Sequence, residues 1–221
     1  MTHGGLRFIA PDRGICSLWA CDDLLWSTGR NSNLEELAVS GEGHGATNTG
    51  SGQKIMAFTI PEGLHEDLYP LAWLVGTWRG KGRGEYPTIE PFQYAHEVTF
   101  NHDGRNFLNY YSRSWIIDDN NEIVKQFESE TGFWRPKPNN VLEIVIAHSS
   151  GMAEGWVGVH SGPKIQLAMD QGYSSPSTDI VTAGSRLYGL VEGELFYAYD
   201  KASDGHTLQA YLWSTLERQA E

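Results

Sequence analysis

The sequence predicts an all-β domain, a ten-stranded antiparallel β-barrel preceded by a short helical turn. Three observations lead there. Aromatic residues make up 12 % of the 221-residue chain, with 8 Trp and 10 Tyr, and 25 Gly accompany them. Such a mixture favours strands and tight turns over long helices. From Gly76 onward, about ten short segments of strand character follow one another, most of them separated by turn residues. No helical stretch lies between them to carry the chain across to a parallel neighbour. An up-and-down sheet of that width would leave long open edges; closure removes the edges and encloses a cavity.

The elements follow in order. Residues 1–65 read as an extension and residues 66–221 as the barrel. Within the extension, AVSGEGHGATNTGSGQ (38–53) has too little apolar surface to offset its ordering entropy, so a flexible segment is expected. A new style of sequence begins at Met56, so residues 1–55 are either an accessory tail or a reading frame extended upstream of a start at Met56. Leu68, Leu71, Ala72 and Leu74 have roughly helical spacing. Strands are predicted at about 76–84, 94–102, 106–117, 124–134, 141–147, 152–160, 163–168, 179–190, 194–202 and 207–217. Turn signals include Asp103-Gly104, Glu192-Gly193 and Asp204-Gly205. Residues 170–178 are the most loop-like internal stretch.

Composition removes several function classes. The formal net charge is −12, and no basic cluster exceeds the sparse Arg79, Lys81, Arg83 series. Nucleic-acid and anionic-membrane binding are therefore not expected. The two cysteines, Cys16 and Cys21, lie in the extension and give the barrel neither a disulfide framework nor a zinc site. The absence of a long apolar run and of a leader pattern makes a cytoplasmic protein the expectation.

Leu74 to Gly82 contains G-x-W-x-G-x-G through Gly76, Trp78, Gly80 and Gly82. Trp78 is expected to plug the closed end of the barrel beneath the helical turn near Leu71. The alternating glycines strip one face of the strand and permit close backbone packing or strong bending. Taken with Gly84 to Tyr94, Glu97 to Phe100, Glu130 to Arg135, Ala147 to Gly151 and Leu208 to Leu212, this motif closely resembles the nitrobindin family. The resemblance spans roughly 67–219. It implies a lipocalin-like barrel, comparable in shape to fatty-acid-binding proteins, that holds haem b at its mouth. In that family ferric haem binds nitric oxide and isomerises peroxynitrite to nitrate.

The family holds its iron through a histidine on the last strand, in a pattern like L-x-x-H-L. Here the corresponding stretch is Leu208-Gln209-Ala210-Tyr211-Leu212, which places Tyr211 at the histidine position. A phenol is a poor iron ligand unless ionised. Strand alternation places Trp213 on the same side as Tyr211, where it would crowd a porphyrin. Thr88, Tyr211 and Trp213 are the expected pocket residues. The reading that follows is a family member without haem, without a metal and without enzymatic activity, binding a small apolar ligand or none; the family also allows a homodimer. The alternative is a haem b protein, a peroxynitrite isomerase or nitric oxide binder, that uses a different axial ligand.

Other candidate groups read as structural. His96, His102, His148 and His160 are scattered without metal-ligand spacing and are expected as satisfied core or rim residues. Glu128 and Glu130 share a strand face and are expected to face water. The serines lack a G-x-S-x-G setting, and Gly80, Gly82 and Gly84 lead into no helix, which excludes a hydrolase elbow and a phosphate loop.

Overall fold

The computed structural model describes residues 60–220. The expectations for the N-terminal extension, including Cys16 and Cys21, lie largely outside them. The chain begins with a 3-10 helix, Glu66–Leu74, and continues as ten strands. These are β1 (Gly76–Tyr86), β2 (Ile89–Asn101), β3 (Leu108–Ile117), β4 (Ile123–Lys137), β5 (Val141–His148), β6 (Met152–Ser161), β7 (Lys164–Ser174), β8 (Val181–Val191), β9 (Glu194–Ser203) and β10 (Gln209–Arg218). Each strand pairs antiparallel with its sequence neighbour, and β1 with β10 closes the barrel. All ten predicted strands are present.

Two boundaries moved by five residues or more. β2 begins at Ile89 rather than near 94, because β1 and β2 form a tight hairpin with Tyr86 opposite Ile89. A register shift between Gly84 and Tyr86 absorbs Pro91, which cannot donate to a regular ladder. β7 runs to Ser174, inside the stretch predicted as loop. Its last residues stay paired with β6, down to Ser174 opposite Met152, whereas its pairing with β8 stops at Ala168 opposite Ser185. The wall between β7 and β8 is therefore split toward one end of the barrel.

The opposite end is closed. Leu68, Leu71, Ala72, Trp73 and Leu74 of the 3-10 helix are buried across it. Trp78 lies beneath them, 1 % exposed, and its indole Nε1 donates to the Leu74 carbonyl at 2.8 Å. Arg218 covers the other side of the indole at 4.3 Å from the ring centroid and donates to the carbonyls of Trp73 and Val75. Arg218 thus satisfies carbonyls left open at the helix end. Gly76 joins helix to barrel at φ +126°, a conformation that L side chains rarely adopt. A Cβ at Gly80 would stand 2.0 Å from the Thr215 carbonyl oxygen, so the bare strand face serves close approach to β10.

Candidate functional site

The functional end of the barrel is the one away from the helix, and strand alternation builds it. On β4, Trp134, Gly132, Glu130 and Glu128 share a strand face; along β9 the series is Leu195, Tyr197, Tyr199 and Lys201. Buried Arg186 on β8 and Glu154 on β6 are in phase with the apolar positions of their strands. Deep in the barrel these groups meet. The Arg186 guanidinium donates to both Glu130 oxygens at 2.8 and 2.9 Å, and to Glu154 at 3.3 Å. The Tyr110 hydroxyl donates to Glu130 at 2.6 Å, and Trp156 Nε1 and the Tyr199 hydroxyl donate to Glu154 at 3.0 and 3.3 Å. His148 Nε2 is 3.0 Å from the same Glu154 oxygen that takes the Trp156 bond, and its Nδ1 is 3.6 Å from Glu130.

The electrostatics of this cluster are self-consistent. Burial alone would raise the Glu130 carboxyl, but Arg186 and His148 outweigh it and hold Glu130 well below its ordinary range. Burial also works against the His148 cation, yet Glu130 and the bond to Glu154 raise its pKa. Burial likewise opposes the Glu154 anion, and His148 and Arg186 reverse the effect. Two carboxylates thus balance a guanidinium and, below its raised pKa, an imidazolium. The expectation that Glu130 faces water is corrected: it is 9 % exposed, because the guanidinium that accompanies it is supplied by β8, 56 residues later.

Above the cluster lies a cavity of about 180 Å³, opening away from the helix. Tyr94, Phe127, Met152, Tyr197 and Leu212 give it an apolar wall. Among the polar groups that line it, three rings matter here. His96 is pinned between Ser214 Oγ at 2.9 Å and Ser112 Oγ at 3.0 Å, and burial pushes its pKa down to about 4, so it is neutral at ordinary pH. His148 also lines the cavity but is engaged below. Tyr211 is the third. Its ring is held by T-shaped contacts with Tyr86 and Tyr199, at 5.8 and 5.6 Å between centroids. Lys201 Nζ sits 3.9 Å from the Tyr211 ring centroid. Burial and the carboxylates of Glu128, Glu130 and Asp179 raise the Tyr211 pKa, so it is a neutral phenol.

The expected pocket residues separate. Tyr211 lines the cavity. Thr88 is exposed in the β1–β2 turn, outside the lining. Trp213 is not in the cavity either, because a bulge breaks the alternation. Ala210 pairs with Asp200 and Leu212 with Tyr199, leaving Tyr211 as the extra residue. Tyr211 and Leu212 both line the cavity, whereas Trp213, opposite Ala198 and Arg83, turns to the outer face. Gly76, Trp78, Gly80 and Gly82 all belong to β1, and none of them lines the cavity.

Sequence reasoning did not single out Glu154 or Lys201, and did not foresee the pairing of Arg186 with Glu130. The available signal was a charged residue in phase with buried apolar neighbours, as in Arg186-Leu187-Tyr188 and Glu154-Gly155-Trp156.

Residues 67–218 match the family model described as a THAP4-like, haem-binding β-barrel domain. The chain belongs to the nitrobindin family. It is similar to a peroxynitrite isomerase of Nocardioides sp., 48 % identical over 74 % of this chain and all of that protein. A ferric nitrobindin-like protein of Streptomyces griseus is 38 % identical over 72 % of this chain and 85 % of its own length. A crystal structure of an M. tuberculosis protein superposes with a TM-score of 0.64 at 36 % identity, covering 71 % of this chain and 99 % of that one. These likenesses overturn the expectation of a family member without haem or any cofactor. The matching family is described as haem-binding, a 48 % identical relative is named a peroxynitrite isomerase, and nothing in the comparisons marks a ligand as missing. The physical reasons for the misreading are local. The reading weighed Tyr211 as a poor iron ligand in place of the histidine, and it placed Trp213 on the same side as Tyr211, whereas the bulge turns Trp213 to the outer face.

Proposed function

We propose that this barrel binds haem b in the open-end cavity and acts as a ferric haem protein that isomerises peroxynitrite to nitrate. The observation that carries the reading is the haem-binding family match across 67–218, the whole barrel. The residues present suit such a group. Aromatic and aliphatic side chains offer a planar macrocycle an apolar wall, Tyr211 offers a hard oxygen donor, and Lys201 offers a cation beside the cavity for carboxylate arms.

The chemistry supplied by the bound group is Lewis-acid rearrangement of one anion into its isomer, which consumes no co-reactant. The chain's own residues prepare the surroundings. Tyr94, Phe127 and Leu212 keep water from the inner wall. Lys201 places positive charge where an anion would enter a strongly acidic protein. His96 stays neutral between two serine hydroxyls and so adds a fixed dipole without a charge.

The reading is tested by titrating the full chain with ferric haem. A Soret band that saturates at one haem per chain is expected. The complex should speed peroxynitrite decay beyond free haem, with nitrate as product. Haem that stays free in the presence of excess protein would overturn the proposal. Among the described residues no helix is long and apolar enough to cross a membrane.

A further inference from the structure

We propose that the hydroxyls of Tyr94 and Tyr197 form a donor pair at the inner end of the cavity that holds an oxygen of a small nitrogen oxyanion. The identity of the guest rests on the reading above; the residues that grip it are what the proposal adds.

One rung of the barrel sets up the pair. Tyr94 on β2 stands opposite Gly82 on β1, Gly82 opposite Ser214 on β10, and Ser214 opposite Tyr197 on β9. Two large rings thus flank two small residues. A Cβ at Gly82 would stand 2.6 Å from the Tyr94 Cζ, so the Tyr94 ring lies over bare backbone there. The last glycine of the G-x-W-x-G-x-G motif is therefore the space into which this ring fits. His96 packs against both phenols, with ring centroids 5.6 Å from Tyr94 and 5.4 Å from Tyr197.

Neither hydroxyl has a hydrogen-bond acceptor among the described residues. Tyr94 is 1 % exposed, and its oxygen is buried without a partner. Ser214, the hydroxyl beside it, is committed to His96 Nδ1. Tyr197 is 5 % exposed and lines the cavity from the inward row of β9, between Leu195 and Tyr199. The other buried hydroxyls of the lining are engaged: Ser112 with His96, Ser114 with the Glu128 carbonyl and Tyr199 with Glu154. Tyr211 also lacks a partner, but it is half-buried and lies three residues along β10 toward the mouth. A buried donor without an acceptor is costly and calls for one from outside the chain.

The chemistry of the pair suits an oxyanion. Burial holds both phenols well above the ordinary tyrosine range, so each keeps its proton and stays a donor. The carboxylates of Glu130 and Glu154 are tied to Arg186 and His148, and neutral His96 adds no charge. An oxyanion offers only acceptors, and neutral donors fixed in an apolar wall hold it without reorganising as its charge shifts between oxygens. The substrate and the product of the proposed isomerisation are both such anions.

The experiment uses the full, haem-free chain labelled with 13C in its tyrosine rings, titrated with sodium nitrate against sodium chloride at equal ionic strength and followed by NMR. Tyr94→Phe and Tyr197→Phe assign the two rings, and the remaining tyrosine signals report that each variant is folded. In the parent, the Tyr94 and Tyr197 signals should move with nitrate and saturate, and should not follow chloride. Each single variant should weaken nitrate binding by ~10-fold or more, the effect of losing one hydrogen bond to a charged group. Nitrate that moves neither signal, that moves only tyrosines nearer the mouth such as Tyr211, or that binds both variants as it binds the parent would overturn the donor pair. Haem titration of the parent is read separately. Haem uptake without a nitrate response would overturn the pair and leave the haem reading standing; a nitrate response without haem uptake would do the reverse.

Discussion

The two ends of this barrel are made from the same strands and are built in opposite ways. At the helix end, inward positions carry Trp78, Phe100, Leu108, Trp134, Leu142 and Leu216, all at or below 1 % exposure. At the open end the same strands carry His96, Ser112, Glu130, His148 and Ser214. β2 shows the change along one face: Phe100, Val98, His96, Tyr94. Several strands, β2, β4 and β9 among them, are therefore gradients from apolar to polar along a single inward row. The closed end draws on apolar burial, which is non-directional. The open end holds charges that are costly to bury and are tolerated only through mutual pairing. The lesson is that stability and chemistry occupy opposite ends of one sheet, so a change at one need not disturb the other.

Trp78→Ala tests the closed end and should have the largest effect. It removes an indole held by the Leu74 carbonyl and covered by Arg218, and should cost about 3–5 kcal/mol, read by urea unfolding. A loss under about 1 kcal/mol would show that the helix cap is not where the barrel is held together.

Arg186→Leu tests the open end. It leaves Glu130 and Glu154 buried beside each other with His148 alone, and should cost about 3–5 kcal/mol. Adding Glu130→Gln and Glu154→Gln should recover much of that loss, because the cost lies in uncompensated charge. If the triple variant is no more stable than Arg186→Leu, the open end is held by packing, as the closed end is, and the contrast collapses.

The pH dependence sharpens the contrast further. His96 has a folded pKa of about 4, below its unfolded value, so the unfolded chain binds the proton first. Its contribution is present above about pH 6.5 and is lost as the pH falls toward 4, on the order of 3 kcal/mol. His148 has the opposite sign. Its pKa is raised, so its contribution is complete below the unfolded value and fades as the pH rises through the folded one. Glu130 and Glu154, both lowered, lose theirs only in stronger acid. Stability measured from pH 7 down to pH 4 should fall, and His96→Asn should flatten that fall. An unchanged slope would remove His96 from the account.

Lys201→Met should have the smallest effect on folding. Its ammonium contacts two rings at the mouth, worth about 0.5–1 kcal/mol. A change in melting well beyond that would mean that Lys201 supports the fold and is not held in reserve for a ligand.

The sequence was a good guide wherever the signal is local and periodic. Alternation and turn residues located all ten strands; Glu192-Gly193 closes a two-residue hairpin and Asp204-Gly205 turns the longer β9–β10 loop, both residues of each pair taking positive φ. Trp78 was legible as a closed-end residue because it opens the first strand directly after an apolar helical turn. Tyr211 was legible as a pocket residue, and Trp213 was misplaced by the same alternation rule that placed Tyr211. A single extra residue at the bulge reverses the faces beyond it, and nothing in Gln209 to Trp213 announces that residue.

The sequence by itself therefore determined the strands, their order and the closure of the sheet, because those depend on neighbouring residues and on the need to hide strand edges. Only the tertiary structure decided that Arg186 meets Glu130 and Glu154, that His148 completes that cluster, and that Lys201 lies over Tyr211. Those meetings depend on register summed around a closed barrel, where each bulge shifts which side chains face the same point. A charge has no periodicity that names its partner, so the chemistry of the open end appears only once the barrel is closed.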